Sequence, residues 1–258
     1  MYLTAQQLAV ANQAVLETFE TSCISWQVLP QWDTGDPAKT AVPADDVTTA
    51  IPSTVAVVGD SEPLTVTLAT VTSGSPDFLL ARIIDKAVDL AAKVDKAVIP
   101  KLRTTAANSV AWDNSTVDKL LLSLIDARTA VETAGYRAPS CLVTNTDGLK
   151  EVSVLVSGYS VQQTLLDTAN IGSLQRAEQV APTTTPNARA VLVGRRQRIP
   201  HGGASDESPG EEPVDLAVSV PPSLEVLGED GANTIKLAVR VRYALRIKDK
   251  YGLVKLDK

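Results

Sequence analysis

The chain has 258 residues, 44% of them hydrophobic, with a formal net charge of -6 and a pI near 4.9; this is ample for one large core or two modest ones, so disorder is not the expectation. The acidic balance argues against a dedicated nucleic-acid binder, which carries a basic footprint. Cys23 and Cys141 lack the count and spacing of a disulfide framework or zinc site, the opening MYLTAQQ lacks the regions of a signal peptide, and no apolar run approaches the roughly 20 residues that span a bilayer, so the expected setting is the cytosol with no membrane partner.

Residues 3–19 read as a helix with Thr4 as N-cap and Leu8, Ala11, Val15 and Phe19 on one stripe. From 20 to 52, Pro30, Pro37, Pro43 and Pro52 break up regular structure, so this stretch reads as an extended arm. Its Trp26 and Trp32 require burial, either against another surface or against their own subunit. Residues 53–58 and 64–70 flank Gly59 to Pro63, and Leu64, Val66 and Leu68 alternate with polar or small residues; the pattern predicts a β-hairpin. Ser75, Pro76 and Asp77 then open a helix whose residues Leu80, Ile83, Ile84, Ala87, Val88, Ala91, Val94 and Val98 share a face. Asp89 and Lys93 form an expected i, i+4 pair, and Pro100 ends or kinks a helix of roughly 35 Å.

A second helix starts at Ser115, buries Val117, Leu120, Leu121, Leu124, Ile125 and Val131, and stops at Gly135. A short strand at Cys141, Leu142 and Val143 leads through a capping-type turn at 144–147 into an element of unassigned type at 148–156. Residues 158–172 are polar and ambiguous, 182–187 are a loop, and 190–194 form a strand ending in the basic cluster Arg195, Arg196 and Arg198. Elements at such short spacing imply a compact α+β unit. Residues 201–213 read as an exposed, mobile loop, and 214–227 as a strand interrupted by Pro221 and Pro222. After the turn at 228–231, residues 235–248 alternate strictly: Ile235, Leu237, Val239, Val241, Tyr243, Leu245 and Ile247 against Lys236, Ala238, Arg240, Arg242, Ala244, Arg246 and Lys248. Only an extended strand puts those sets on opposite faces, and at roughly 3.3 Å per residue it spans about 45 Å, a tongue of sheet reaching across a flat subunit. A last short strand is expected at 251–256.

Motifs for chemistry are sparse. His201-Gly202-Gly203 is like an esterase oxyanion loop, but no G-x-S-x-G accompanies it, and Ser205, His201 and Asp206 are neighbours in one loop without the rigid geometry of a triad. No nucleotide-binding glycine motif occurs, and the acidic pairs Asp45-Asp46 and Glu211-Glu212 lack metal-ligand spacing. No catalytic residue, cofactor or metal is expected. The basic face Lys236, Arg240, Arg242, Arg246 and Lys248 admits contact with DNA, but pairing with acids such as Asp85, Asp89, Asp215 or Glu225 is the expected reading.

The run LLLSLIDARTAVETAGYRAPSCLVTN at 120–145, and Pro213 to Val218 followed by Leu227-Gly228, the long strand and Ile247-Lys248-Asp249, resemble the axial-domain and closing segments of major capsid proteins of the Hong Kong 97 type, the family of tailed phages, herpesvirus floors and encapsulins. The resemblance implies an α+β fold divided as 1–52 N-terminal helix and arm, 53–74 extended loop hairpin, 75–114 spine helix and first part of the peripheral domain, 115–214 axial domain, and 215–258 return to the peripheral domain. It implies a non-enzymatic virion protein, assembled in the host cytoplasm, whose hexamers and pentamers build an icosahedral head around double-stranded DNA without sequence-specific contact. A separate scaffold or decoration protein is a possible partner, because the scaffolding domain of some relatives has no counterpart before the arm. No lysine lies in 53–74, so the lysine–asparagine cross-link of one branch is not expected. Trp26, Trp32, Leu64, Val66, Leu68, Arg195, Arg196 and Arg198 are the implied inter-subunit contacts. An encapsulin shell around an enzyme cargo is the alternative, and an esterase-like hydrolase a distant one.

Overall fold

The computed structural model describes residues 3–72, 77–181, 185, 187–196, 212–231 and 233–258. In chain order the elements are α1 (Ala5–Ser22), α2 (Ile24–Val28), β1 (Gln31–Asp33), β2 (Ala41–Pro43), β3 (Thr54–Ala56), β4 (Val58–Thr67), α3 (Leu68–Thr72), α4 (Asp77–Thr105), β5 (Asn108–Ala111), α5 (Val117–Thr133), β6 (Ala138–Thr144), α6 (Thr146–Val152), β7 (Leu155–Val156), β8 (Tyr159–Ser160), α7 (Gln162–Thr168), β9 (Ile171–Arg176), β10 (Ala188–Arg195), β11 (Val214–Glu229), β12 (Thr234–Ile247) and β13 (Leu253–Asp257). No helix among the described residues is long and apolar enough to cross a membrane.

Local chemistry explains the helix starts. Thr4 and Gln7 form a reciprocal capping box on α1, Thr116 rather than Ser115 caps α5, and Asn145 caps α6 by accepting from the Gly148 N–H at 2.8 Å. The Ser75-Pro76 opening of α4 lies outside the described residues. Pro100 does not end α4: the helix has 29 residues, about 44 Å at ~1.5 Å per residue. Pro100 removes one N–H, but Val98, Ile99 and Leu102 are buried around it and Arg103 pairs with Asp257, so tertiary burial carries the helix one turn further.

The expected long strand is β12, central in a four-stranded sheet of order β1-β11-β12-β4. Its odd residues from Ile235 to Tyr243 are buried with residues of α1 and α4 in the larger core. Its other face changes character along its length. Lys236 is exposed, whereas Ala244, Arg246 and Lys248 are buried. The β2–β3 ribbon supplies Val42 and Val55 over Ala217 and Ala244, so this end of the sheet is covered on both sides.

Two strand expectations need correction. Residues 53–70 do not form a hairpin: β4 runs unbroken through Gly59 to Pro63 and pairs with β12 from Thr67↔Thr234 to Val58↔Tyr243, while β3 pairs with β2. Pro63 is tolerated because β4 is an edge strand, where a missing N–H breaks no ladder. Arg82 and Lys93 donate to the carbonyls of Thr65 and Ser61, which blunts that edge. Lys93 therefore pairs with Asp60 and Glu62, and Asp89 takes Lys86 instead. Second, β11 continues through Pro221 and Pro222 with register shifts between Val218 and Ser223; β1 reaches only to Val218, so the prolines face an unpaired edge. The expected last strand is β13, which lies between β5 and β10 in a second sheet, β5-β13-β10-β6-β9.

The second sheet is buried on both faces. Leu142, Leu192 and Val254 pack with Leu124, Val131, Val152 and Leu165 of the covering helices α5, α6 and α7. Cys141, Val143, Val191, Val193 and Leu253 join the core shared with α1 and α4. The unassigned segment 148–156 completes α6 and enters β7, and 158–172 holds β8, α7 and the start of β9. Most of 182–187, all of 197–211 and with it the His201 loop lie outside the described residues.

Candidate assembly surfaces

The arm packs on its own subunit. Asp95, buried on α4, accepts from the N–H groups of Ile24 at 2.9 Å and Ser25 at 2.7 Å, and so caps α2 from outside. Phe19 meets the Trp26 ring edge-on at 5.2 Å. Further along, Arg242 donates to the carbonyls of Pro37 and Lys39, and the Trp32 ring stacks under the Arg246 guanidinium at 4.3 Å.

Arg246 is the centre of a buried charge cluster. It binds Asp215 through two donors, each at 2.6 Å, and Asp45 at 2.7 Å; Lys248 adds a third bond to Asp215 at 2.9 Å. Side-chain exposure is 1% for Arg246, 4% for Lys248 and 3% for Asp215, so the charges neutralise one another with little help from water.

Among the described residues, the exposed apolar side chains include three groups. The β7–β8 hairpin turns through Ser157 and Gly158, both with positive φ, and displays Leu155, Val156 and Tyr159. Loop 44–53 displays Val47 and Ile51, and the outer side of α4 shows Phe78, Ile84 and Val88. Large apolar residues gathered on projections mark contact surfaces more often than accidents of folding.

Four groups inside the subunit titrate upward. Burial and the nearby Asp95 raise the Cys23 thiol; burial raises Cys141; burial and hydrogen bonds to Asp249 and Asp60 raise the Tyr136 and Tyr243 phenols. Above the ordinary values of 9.0 and 10.0 the unfolded chain loses these protons while the folded chain keeps them. Stability is therefore full below pH 9 and falls as pH rises through the ordinary thiol and phenol values, each group adding one proton to the pH dependence. Denaturant midpoints from pH 8 to 11 check this: Tyr243→Phe should flatten the fall by one proton, and an unchanged slope would show that Tyr243 contributes nothing to it.

No family model matches the chain, and no curated protein matches it. Solved structures do. The crystal structure of a virus-like particle from Pyrococcus furiosus superposes with a TM-score of 0.72 at 13% identity, over 98% of this chain and 99% of that one. A phage-related protein from Bordetella bronchiseptica RB50 gives 0.66 at 11%, over 96% of each chain. The capsid structure of cyanophage P-SCSP1u gives 0.52 at 8%, over 80% of this chain and 74% of that one. The chain has the phage-capsid fold of the Hong Kong 97 type.

In this fold α4 packs against α1, β4 and β12, and β13 carries the chain from β12 of the four-stranded sheet into the five-stranded one. The residues singled out in the sequence do not come together as one site. Leu64 and Val66 are buried in the subunit's own core, with Leu68 and Trp26 packed at its margin. Arg195 donates to the Val28 carbonyl at 2.8 Å and Arg196 lies over the Tyr136 ring at 4.7 Å; Arg198 is outside the described residues. The basic face is paired within the chain: Lys236 with Asp230, Arg240 with Glu225, Arg246 and Lys248 with Asp215. Of the acids expected to pair there, Asp215 and Glu225 do so, because they face β12 from the adjacent strand, whereas Asp89 bonds Lys86 on its own helix. Sequence reasoning missed loop 44–53, whose two aliphatic residues lie among polar ones with no period to announce them.

Proposed function

We propose that this chain is the shell subunit of a tailed-phage head, whose copies assemble as hexamers and pentamers around double-stranded DNA in the host cytoplasm and persist in the virion. The observation that carries this reading is the superposition of nearly the whole chain, end to end, on the subunit of a particle. The exposed aliphatics of loop 44–53 and the β7–β8 tip support it, because a shell needs projections that neighbours can cover. The internally paired basic face fits DNA held without sequence-specific contact. A scaffold or decoration protein remains a partner class compatible with this role, and no catalytic step is assigned to it.

A second reading, an encapsulin-type shell around an enzyme cargo, is favoured by the size match to the Pyrococcus particle, whose chain is covered over 99% of its length. Expression of the chain and negative-stain imaging test the shell role: closed particles are expected, and a monodisperse monomer at high concentration would remove it. The contents of particles purified from their natural source separate the two readings, since DNA in a large shell supports the phage head and protein in a small one supports the nanocompartment.

A further inference from the structure

Loop 44–53 is built as a rigid socket rather than left as a connector. Its ends are joined by the Ala44 N–H donating to the Ser53 carbonyl at 2.9 Å, and its middle is pinned to the sheet by the Val47 N–H donating to the Lys248 carbonyl at 2.8 Å. Asp45, in the left-handed region at φ 51, reaches back to Arg246 at 2.7 Å. Asp46 accepts from both the N–H and the hydroxyl of Thr48, which closes the turn and holds its carboxyl below the ordinary range. The ring encloses an open cavity of about 400 Å³, with Val47 and Ile51 on the rim at 73% and 78% exposure. A loop this firmly tied has already met its ordering cost, so presenting two aliphatic side chains to water is a property of the fold and not of fraying.

Resting on the shell reading above, we propose that this socket is a contact between copies of the chain, in which Val47 and Ile51 are covered by a different surface of the neighbouring subunit. The acids Asp45 and Asp46 beside the rim disfavour DNA or an anionic membrane as the occupant. Ten residues with two apolar tips fall well short of the ~800 Å² per partner of a stable pairwise interface. Such a patch holds only where many small contacts close together, as between copies in a shell, and not as an isolated dimer.

The chain expressed alone tests this, because then only a second copy is present. Cys23 and Cys141 are buried, so a cysteine introduced by Ile51→Cys is the only accessible thiol among the described residues. Its labelling by a maleimide should be at least about tenfold slower in particles than in dissociated subunits. Val47→Ser with Ile51→Ser should leave the thermal midpoint within about 2 °C of the parent yet sharply lower particle yield. Equal labelling in particles and subunits overturns the socket and leaves the shell reading standing; failure of the unaltered chain to form particles overturns the shell reading and the socket with it. If Ile51→Cys itself blocks assembly, Ala50→Cys on the same loop carries the label.

Discussion

Asp215→Ala is expected to lower the unfolding free energy by about 3–5 kcal/mol, because it strands two buried cations rather than deleting one bond. Arg246 and Lys248 share that carboxylate, and both are almost wholly shielded from water. Asp45 stays in place in the variant, but its side chain is 53% exposed, so water screens what it offers Arg246. The cluster also anchors loop 44–53, so the Val47 amide should exchange with solvent faster in the variant. A combined Asp215→Leu, Arg246→Met, Lys248→Met chain removes the three buried charges together, leaves the half-exposed Asp45 to water, and should recover most of the loss. Urea denaturation reads both. A single-variant cost below about 1 kcal/mol would mean that solvent, not the cluster, satisfies these groups.

Phe19→Ala is the second large effect, also about 3–5 kcal/mol, from lost burial and the cavity left behind. Phe19 is 0% exposed in the larger core and supports Trp26 edge-on, so it fastens the end of α1 and the start of the arm to α4. Beyond the change in denaturation midpoint, limited proteolysis should cut within residues 20–53 of the variant at a concentration that spares the parent. An arm held mainly by neighbouring subunits would instead show little destabilisation in dissociated subunits and the same cutting in both chains.

Under the proposed shell role, the same contrast separates contacts made within one subunit from those left to its neighbours. The sequence leaves open whether Trp26 and Trp32 are covered by another surface or by their own subunit, and the structure places Trp26 at the margin of the subunit's own core and Trp32 beneath Arg246, with Leu64, Val66, Phe19 and Val28 internal. What remains for neighbours is small and set on firm supports, namely the socket at 44–53, the β7–β8 tip and the outer side of α4. Assembly from small contacts between self-sufficient subunits is weak per contact and cooperative in sum, which lets misplaced copies leave before a shell closes.

Several elements were legible in the sequence because their causes are local. A period of two over 235–248 can only be a strand, Thr4 with Gln7 can cap a helix within one turn, and Gly135 at φ 94 ends α5 where few other residues can. The structure alone decided what depends on distant partners. Pro63, Pro221 and Pro222 read as breaks, yet each lies on an edge with no neighbour to miss its N–H, and Pro100 sits inside a helix that buried residues carry onward. Likewise the alternation of β12 foretold two faces but not that Ala244 and Arg246 would be sealed under a ribbon from two hundred positions earlier. Periodicity and capping act over about one turn or one pleat, whereas burial of a face is set by whatever the rest of the chain lays upon it, and that is information no short window of residues contains.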